Sequence, residues 1–157
     1  MERQLEAVEQ AQTVAVTPAV SRAMPKVLIV DDQPDNLMAM TAVLSTLDQK
    51  LVAVSSGREA LKALLDHDDF AVIIMDVQMP GMDGYETAAH IKRRPRTHDV
   101  PIIFLTAMGT DPEHSARGYA AGAVDYIGKP FDPWVLRAKV AVFTRIDLEQ
   151  RRLAGGQ

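Results

Sequence analysis

Four short apolar runs in this 157-residue sequence lead into residues that could do chemistry together. Val27-Leu28-Ile29-Val30 ends in Asp31-Asp32, and Ala71-Val72-Ile73-Ile74-Met75 ends in Asp76. Ile102-Ile103-Phe104-Leu105 ends in Thr106, and Val124-Asp125-Tyr126-Ile127 leads to Lys129-Pro130. Taken singly, each has a plain structural use: paired Asp residues form turns and caps, Thr favours strands, and a Lys before Pro is usually solvated. Taken together, on parallel strands ~4.8 Å apart, they would converge on one crevice. Three carboxylates facing one another repel unless something neutralises them. Hard oxygen ligands without His or Cys select a hard cation, Mg²⁺ above all. A hydroxyl and an ammonium opposite would complete a site for a phosphoryl group. The turn after the first run carries no glycine-rich loop, and no Gly-Lys-Ser/Thr phosphate loop occurs, so the chain does not read as a nucleotide holder. A carboxylate that itself takes the phosphoryl group as an acyl phosphate stays open.

The elements that must position these residues follow from periodicity. The apolar runs, with Leu51-Val52-Ala53-Val54, read as five strands, several of them continuous enough to be buried on both faces. Between them, Leu37, Met40, Leu44 and Leu47 recur at helical steps, and Ser56 can cap a helix carrying Ala60, Leu61, Leu64 and Leu65. A third helix is expected from about Tyr85 to Arg94, a fourth from Thr110-Asp111-Pro112-Glu113 to Gly122, and a fifth from Asp132-Pro133 past Phe143 toward Leu153. Alternating strands and helices imply an α/β fold, a five-stranded parallel sheet with helices on both faces, doubly wound. In such sheets ligand chemistry gathers at the carboxyl ends of the strands.

Composition narrows the classes. One domain is expected from the length. Lys+Arg is 17 and Asp+Glu is 21, a formal charge of −4, unsuited to direct nucleic-acid binding. Cysteine is absent, which excludes disulfides, thiolate zinc sites and cysteine nucleophiles. No apolar run reaches the ~18 residues of a membrane span, and no secretory signal is visible, so a soluble cytoplasmic protein is expected.

The segments Val27-Leu28-Ile29-Val30-Asp31-Asp32, Met75-Asp76-Val77-Gln78-Met79-Pro80-Gly81-Met82-Asp83-Gly84, Phe104-Leu105-Thr106-Ala107 and Gly128-Lys129-Pro130-Phe131 resemble receiver domains of bacterial two-component response regulators. The resemblance covers about Lys26 to Phe143. It implies the flavodoxin-like strand order 2-1-3-4-5. It implies Asp76 as phosphoacceptor, taking a phosphoryl group from a sensor histidine kinase, a phosphotransfer protein or a small phosphodonor. Asp32 would be the direct Mg²⁺ ligand, Asp31 a ligand acting mainly through water, and Asp76 and the Gln78 backbone carbonyl the protein's remaining contributions. Lys129 would pair with the phosphoryl oxygens, Thr106 would bond one of them, and Tyr126 would turn inward when Thr106 moves. The Lys129–Pro130 bond would be cis. Gln78 and Met108 stand where side chains tune dephosphorylation, and apolar Met108 is expected to slow it.

The implied device is a switch. About two added negative charges on Asp76 recruit Thr106 and Lys129, reshaping the face of the fourth helix, fifth strand and fifth helix. That face, or the C-terminal helix, would serve a downstream partner, an attached output domain or a homodimer. The expected organisation is an N-terminal extension or linker at 1–24, a receiver domain at 25–143 and a C-terminal helical extension and tail at 144–157. Past Phe143 the chain reads either as a frayed charged tail or as a signalling helix. Two other classes compete: a pseudo-receiver that never takes phosphate and acts as a dimerisation or interaction module, and a doubly wound phosphatase with an Asp nucleophile. The second lacks its Asp-x-Asp motif, since Asp76-Val77-Gln78 has no second Asp. Lys92-Arg93-Arg94-Pro95-Arg96 reads as a solvated helix end, the methionines as core filler, and Asp125 as solvated and without a role.

Overall fold

The computed structural model describes residues 24–67, 69–107 and 122–155, with positions 116 and 120 between them. Residues 1–23 of the extension expected at 1–24, the start of the fourth helix and Met108 lie outside the described residues. Five strands, β1 (Lys26–Val30), β2 (Lys50–Val54), β3 (Phe70–Asp76), β4 (Ile102–Thr106) and β5 (Ala123–Gly128), form one sheet in the order β2-β1-β3-β4-β5. All four pairings are parallel. The helices are α1 (Pro34–Leu44), α2 (Gly57–Asp66), α3 (Gly84–Arg93) and α4 (Pro133–Gly155), the last being the fifth helix of the sequence reading.

The uninterrupted apolar runs take the places that need them. All seven residues of β3, at the centre, are buried, whereas every residue of β2, at the edge, is exposed or half-buried. Each face of the sheet carries its own core. One gathers Leu28, Ile73, Met75 and Phe104 under α2 and α3, and the other gathers Ile29, Ile74, Ile103 and Leu105 under α1 and α4. Each fully buried Leu or Ile contributes about 1.5–3 kcal/mol over exposure, so the strands are fixed from both sides.

Local chemistry sets the helix ends. Pro34 opens α1, and Asp31 Oδ1 accepts the N–H of Gln33 at 2.9 Å, so the first acidic residue also shapes the turn. α1 stops at Leu44, one turn before Leu47, which still packs against the core. Ser56 caps α2, accepting from Glu59 N–H at 3.1 Å. The Glu59 carboxylate returns to Ser55, accepting from its N–H at 3.0 Å and its hydroxyl at 2.6 Å. Asp83 caps α3 through Glu86 N–H at 2.8 Å, and Asp132 caps α4 through Trp134 N–H at 2.8 Å.

α4 runs without a break across Phe143, 23 residues or about 34 Å. Leu136 and Val140 are buried against the sheet. At its far end Arg151 donates to Asp147 Oδ2 at 2.7 Å and to the carbonyl of Asp69, just before β3, at 2.9 Å. The helix thus extends to the sheet edge opposite Asp76. A cavity of about 730 Å³ opens there, lined in part by Phe70, Arg96, Phe143, Ile146 and Arg151.

Two readings of single residues need correction. Lys92 is not a solvated helix end: its ammonium reaches back to donate to the carbonyls of His98 at 2.9 Å and Val100 at 2.7 Å, and burial holds its pKa below the ordinary lysine value. Asp125 is not merely solvated, because its Oδ2 accepts from Lys139 on α4 at 2.6 Å. The methionines divide, with Met40, Met75 and Met79 buried and Met38 exposed.

Candidate functional site

β1 and β3 are neighbours, with Val30 paired to Met75, so Asp31 and Asp76 leave the sheet side by side. With Asp32 they form a cluster in which one carboxylate oxygen from each lies within 4.8 Å of the others. Asp31 and Asp76 are buried and Asp32 is half-buried. On the other flank, Leu105 pairs with Asp76 and Thr106 with Gly128, which brings the ends of β4 and β5 to the same edge. The N–H of Lys129 donates to the carbonyl of Thr106 at 2.9 Å, and the Lys129–Pro130 bond is cis, as expected. From this turn Lys129 Nζ reaches across to Asp76 Oδ1 at 3.0 Å and Asp31 Oδ2 at 3.3 Å. The sequence-derived set Asp31, Asp32, Asp76, Thr106 and Lys129 therefore meets at one end of the sheet.

The remaining candidates are placed as follows. Gln78 is exposed, and its N–H donates to Asp76 Oδ1 at 3.3 Å. Tyr126 is half-buried, its ring tilted against Phe104 at a centroid distance of 5.8 Å. Met108 lies outside the described residues.

The electrostatics are unbalanced. Three ionised carboxylates against one ammonium leave a formal −2, and each ionised pair at ~4.8 Å repels by about 3–4 kcal/mol at an effective dielectric near 20. Burial, reinforced by the charge of Asp31, pushes the Asp76 carboxyl above its ordinary pKa, against the hydrogen bonds and charge of Lys129 and Gln78 N–H. Burial alone would lower the pKa of Lys129, but its hydrogen bond to Asp76 and the charges of Asp31 and Asp76 outweigh it and hold the ammonium above its ordinary value. Among the described residues Asp31 Oδ2 is buried and accepts no hydrogen bond, its contact with Lys129 being an ion pair at 3.3 Å. An orphaned buried oxygen, an all-carboxylate donor set and an excess charge of −2 fit a hard divalent cation such as Mg²⁺.

The sequence of the response regulator receiver domain family matches residues 27–141. The chain belongs to this family. Receiver domains are signalling switches that interact with histidine kinases and output domains and generally bind Mg²⁺ at an acidic pocket. This receiver domain resembles the chemotaxis response regulator CheY4 of Vibrio cholerae at 33% identity and a TM-score of 0.71, over 76% of this chain and 98% of that one. It is 39% identical over 114 residues to "Probable cyclic di-GMP phosphodiesterase" of Vibrio cholerae, covering 73% of this chain and 25% of the relative. Against the response regulator PleD of Caulobacter vibrioides it is 32% identical over 135 residues, 83% of this chain and 29% of the relative. The chain spans about a quarter to a half of the length of these and other curated relatives it matches. No helix among the described residues is long and apolar enough to cross a membrane.

Sequence reasoning did not single out Gly84 and Tyr85, where α3 meets the receiver site. Gly84 N–H donates to the carbonyl of Val77 at 2.8 Å, and a Cβ there would lie 2.3 Å from the Asp76 carbonyl oxygen. A glycine following a capping Asp at the start of a helix is the signal that could have pointed to this close approach.

Proposed function

We propose that this receiver domain accepts a phosphoryl group on Asp76 from a sensor histidine kinase or phosphotransfer protein, in the cytoplasm, and relays the change through its β5 and α4 side. The observation that carries this reading is the meeting of a buried Asp76 with Lys129 at 3.0 Å and with Asp31 and Asp32, three carboxylates to one ammonium. An Asp76 carboxylate oxygen attacks phosphorus, the bond from phosphorus to the donor's nitrogen or oxygen breaks, and the leaving group keeps that electron pair. Lys129 then pairs with the phosphoryl oxygens, its ammonium passing from a carboxylate to a more highly charged partner. Thr106 offers its hydroxyl to another of those oxygens, and Tyr126 follows Thr106 inward. Mg²⁺, which Asp31, Asp32, Asp76 and the Gln78 backbone carbonyl would hold, would neutralise the charge gathered there. Gln78 and Met108 set the lifetime of the acyl phosphate, with Met108 unable to orient an attacking water.

The proposed organisation is a receiver domain over 25–143, preceded by an extension and followed by a helical extension over 144–157. Its outputs are a protein partner, an attached domain or a second copy of the chain, met through the β5 face or the C-terminal helix, with no direct contact to nucleic acid. The test is intact mass after incubation with acetyl phosphate or phosphoramidate, with and without Mg²⁺, on wild type and Asp76→Ala. A Mg²⁺-dependent gain of one phosphoryl group by wild type alone supports the reading. No gain by a folded wild-type chain would overturn it in favour of a pseudo-receiver.

A further inference from the structure

The turn from β2 into α2 touches both flanks of the acid cluster. On one flank the N–H of Asp31 donates to the carbonyl of Val54, the last residue of β2, at 3.2 Å. Three residues later Gly57 opens α2 against the other flank. A Cβ at Gly57 would lie 2.1 Å from Thr87 Oγ1 and 3.4 Å from the carbonyl oxygen of Met82, in the loop that follows Asp76. Thr87 is fully buried, and its N–H and hydroxyl both donate to the Asp83 carbonyl, at 3.0 and 2.8 Å. The turn is itself stiffened. The Glu59 carboxylate accepts the Ser55 N–H at 3.0 Å and the hydroxyls of Ser55 and Ser56 at 2.6 and 3.3 Å. The four residues Val54 to Gly57 therefore span from the backbone of Asp31 to the loop carrying Gln78, and the missing side chain at position 57 sets how closely the two flanks approach.

We propose that this turn is a brace that sets cation selectivity, with Gly57, Thr87 and Glu59 as positioning residues that keep the acid cluster narrow enough to favour Mg²⁺ over Ca²⁺. This rests on the receiver reading above and deepens it, since that reading gives the cation to Asp31, Asp32, Asp76 and the Gln78 carbonyl. Mg²⁺ demands a near-octahedral oxygen shell at ~2.0–2.1 Å, whereas Ca²⁺ accepts six to eight oxygens at ~2.3–2.6 Å in looser arrangements. Asp31 leaves β1 on one side of the brace and the Asp76 loop lies on the other, so a spread of about 0.3 Å between them carries the site from the smaller ion's radius to the larger one's. A methyl group at position 57 would force such a spread. Thr87 is branched at Cβ and stiff, its buried hydroxyl is held by the Asp83 carbonyl, and the Met82 contact is backbone.

The experiment titrates the unphosphorylated full chain with MgCl₂ and with CaCl₂ by isothermal titration calorimetry, for wild type, Gly57→Ala, Thr87→Ala, their double variant and Glu59→Ala. Thermal melts, and intact mass after acetyl phosphate and Mg²⁺, are followed in parallel. Gly57→Ala is expected to lose about five- to tenfold in Mg²⁺ affinity and no more than about twofold in Ca²⁺ affinity. In the double variant the shortened residue 87 makes room for the methyl group, and the Mg²⁺-to-Ca²⁺ ratio is expected to return to within about twofold of that of Thr87→Ala alone. Glu59→Ala loosens the turn without crowding it and is expected to lower the ratio by about two- to threefold, which decides the question should Gly57→Ala not fold. Affinities for the two ions that fall by the same factor, a ratio unmoved while Tm drops, or a double variant no better than Gly57→Ala would overturn the proposal and leave the contact as helix packing. A folded wild type that binds neither ion would overturn it as well. Failure of a Mg²⁺-binding wild type to gain mass would instead overturn the receiver reading, and the ratios measured without phosphodonor would still decide the brace.

Discussion

Lys129 is fixed at both ends: its ammonium lies 3.0 Å from Asp76 Oδ1, and its backbone N–H donates to the carbonyl of Thr106, one residue beyond Asp76's neighbour on β4. The cation is therefore aimed by the sheet itself. Its removal leaves three carboxylates with no ammonium among them. Lys129→Met is expected to destabilise the metal-free chain by about 2–3 kcal/mol, less than the ~3–5 kcal/mol of a fully buried broken pair because the Lys129 side chain is 21% exposed. Thermal melts with and without Mg²⁺ check this. The Mg²⁺-induced rise in Tm is expected to be larger in the variant, where the cluster carries a formal −3 rather than −2.

Gly84 and Gly81 give opposite accounts of why a glycine stands where it does. A Cβ at Gly84 would lie 2.3 Å from the Asp76 carbonyl and 2.9 Å from Val77 Cα, both backbone atoms that cannot swing away. At Gly81 there is open space, but φ is +76°, a left-handed conformation. Gly84→Ala is expected to cost about 2–3 kcal/mol by overpacking, and Gly81→Ala about 1–2 kcal/mol by backbone strain alone. Urea denaturation measures both. Only Gly84→Ala is expected to slow phosphorylation by acetyl phosphate as well, since only there must the Asp76 backbone move.

Acid will loosen the start of α2. The Glu59 carboxylate is held below its ordinary pKa, chiefly by the Ser55 hydroxyl and then by the Ser55 N–H, so the folded chain favours its ionised form. A carboxylate lowered in this way adds stability that is complete above its unfolded pKa, near 4.5. That contribution drains away as pH falls through the lower folded value. Wild type should therefore melt above Glu59→Gln at pH 6, and the gap should close as the pH is lowered past 4.5. A gap that stays constant across that range would refute the assignment.

β5 and α4 are joined by the pair of Asp125 and Lys139, with both side chains about one-third exposed. A double-mutant cycle with Asp125→Asn and Lys139→Met is expected to give a coupling of about 0.5–1 kcal/mol, falling as salt is raised. No coupling at low ionic strength would show that the 2.6 Å contact contributes only geometry.

The strand order and the meeting of Asp31, Asp32, Asp76, Thr106 and Lys129 were legible because strand ends in a parallel sheet converge by construction, and apolar runs announce where strands end. What escaped was long-range and carried by side chains. Lys92 sits in a basic run that reads as solvated, and only the chain's return at 98–100 places carbonyls within its reach. Asp125 and Lys139 are 14 residues apart on different elements, beyond any local pattern. Tyr85 reads as one more apolar position of a helix, because nothing in a one-dimensional pattern says that its hydroxyl faces another hydroxyl 41 residues later.

The clasp of Arg151 on Asp69 has a mechanical meaning. α4 is a stiff rod of about 34 Å whose first turn follows the Lys129 loop and whose last turns sit beside the beginning of β3. Tilted by about 5° at its Trp134 end, such a rod would sweep its other end through about 3 Å. With Arg151 fastened to the Asp69 carbonyl, that sweep is resisted and the strain returns toward β5. Without that contact, the same tilt would move the far end of the rod unopposed.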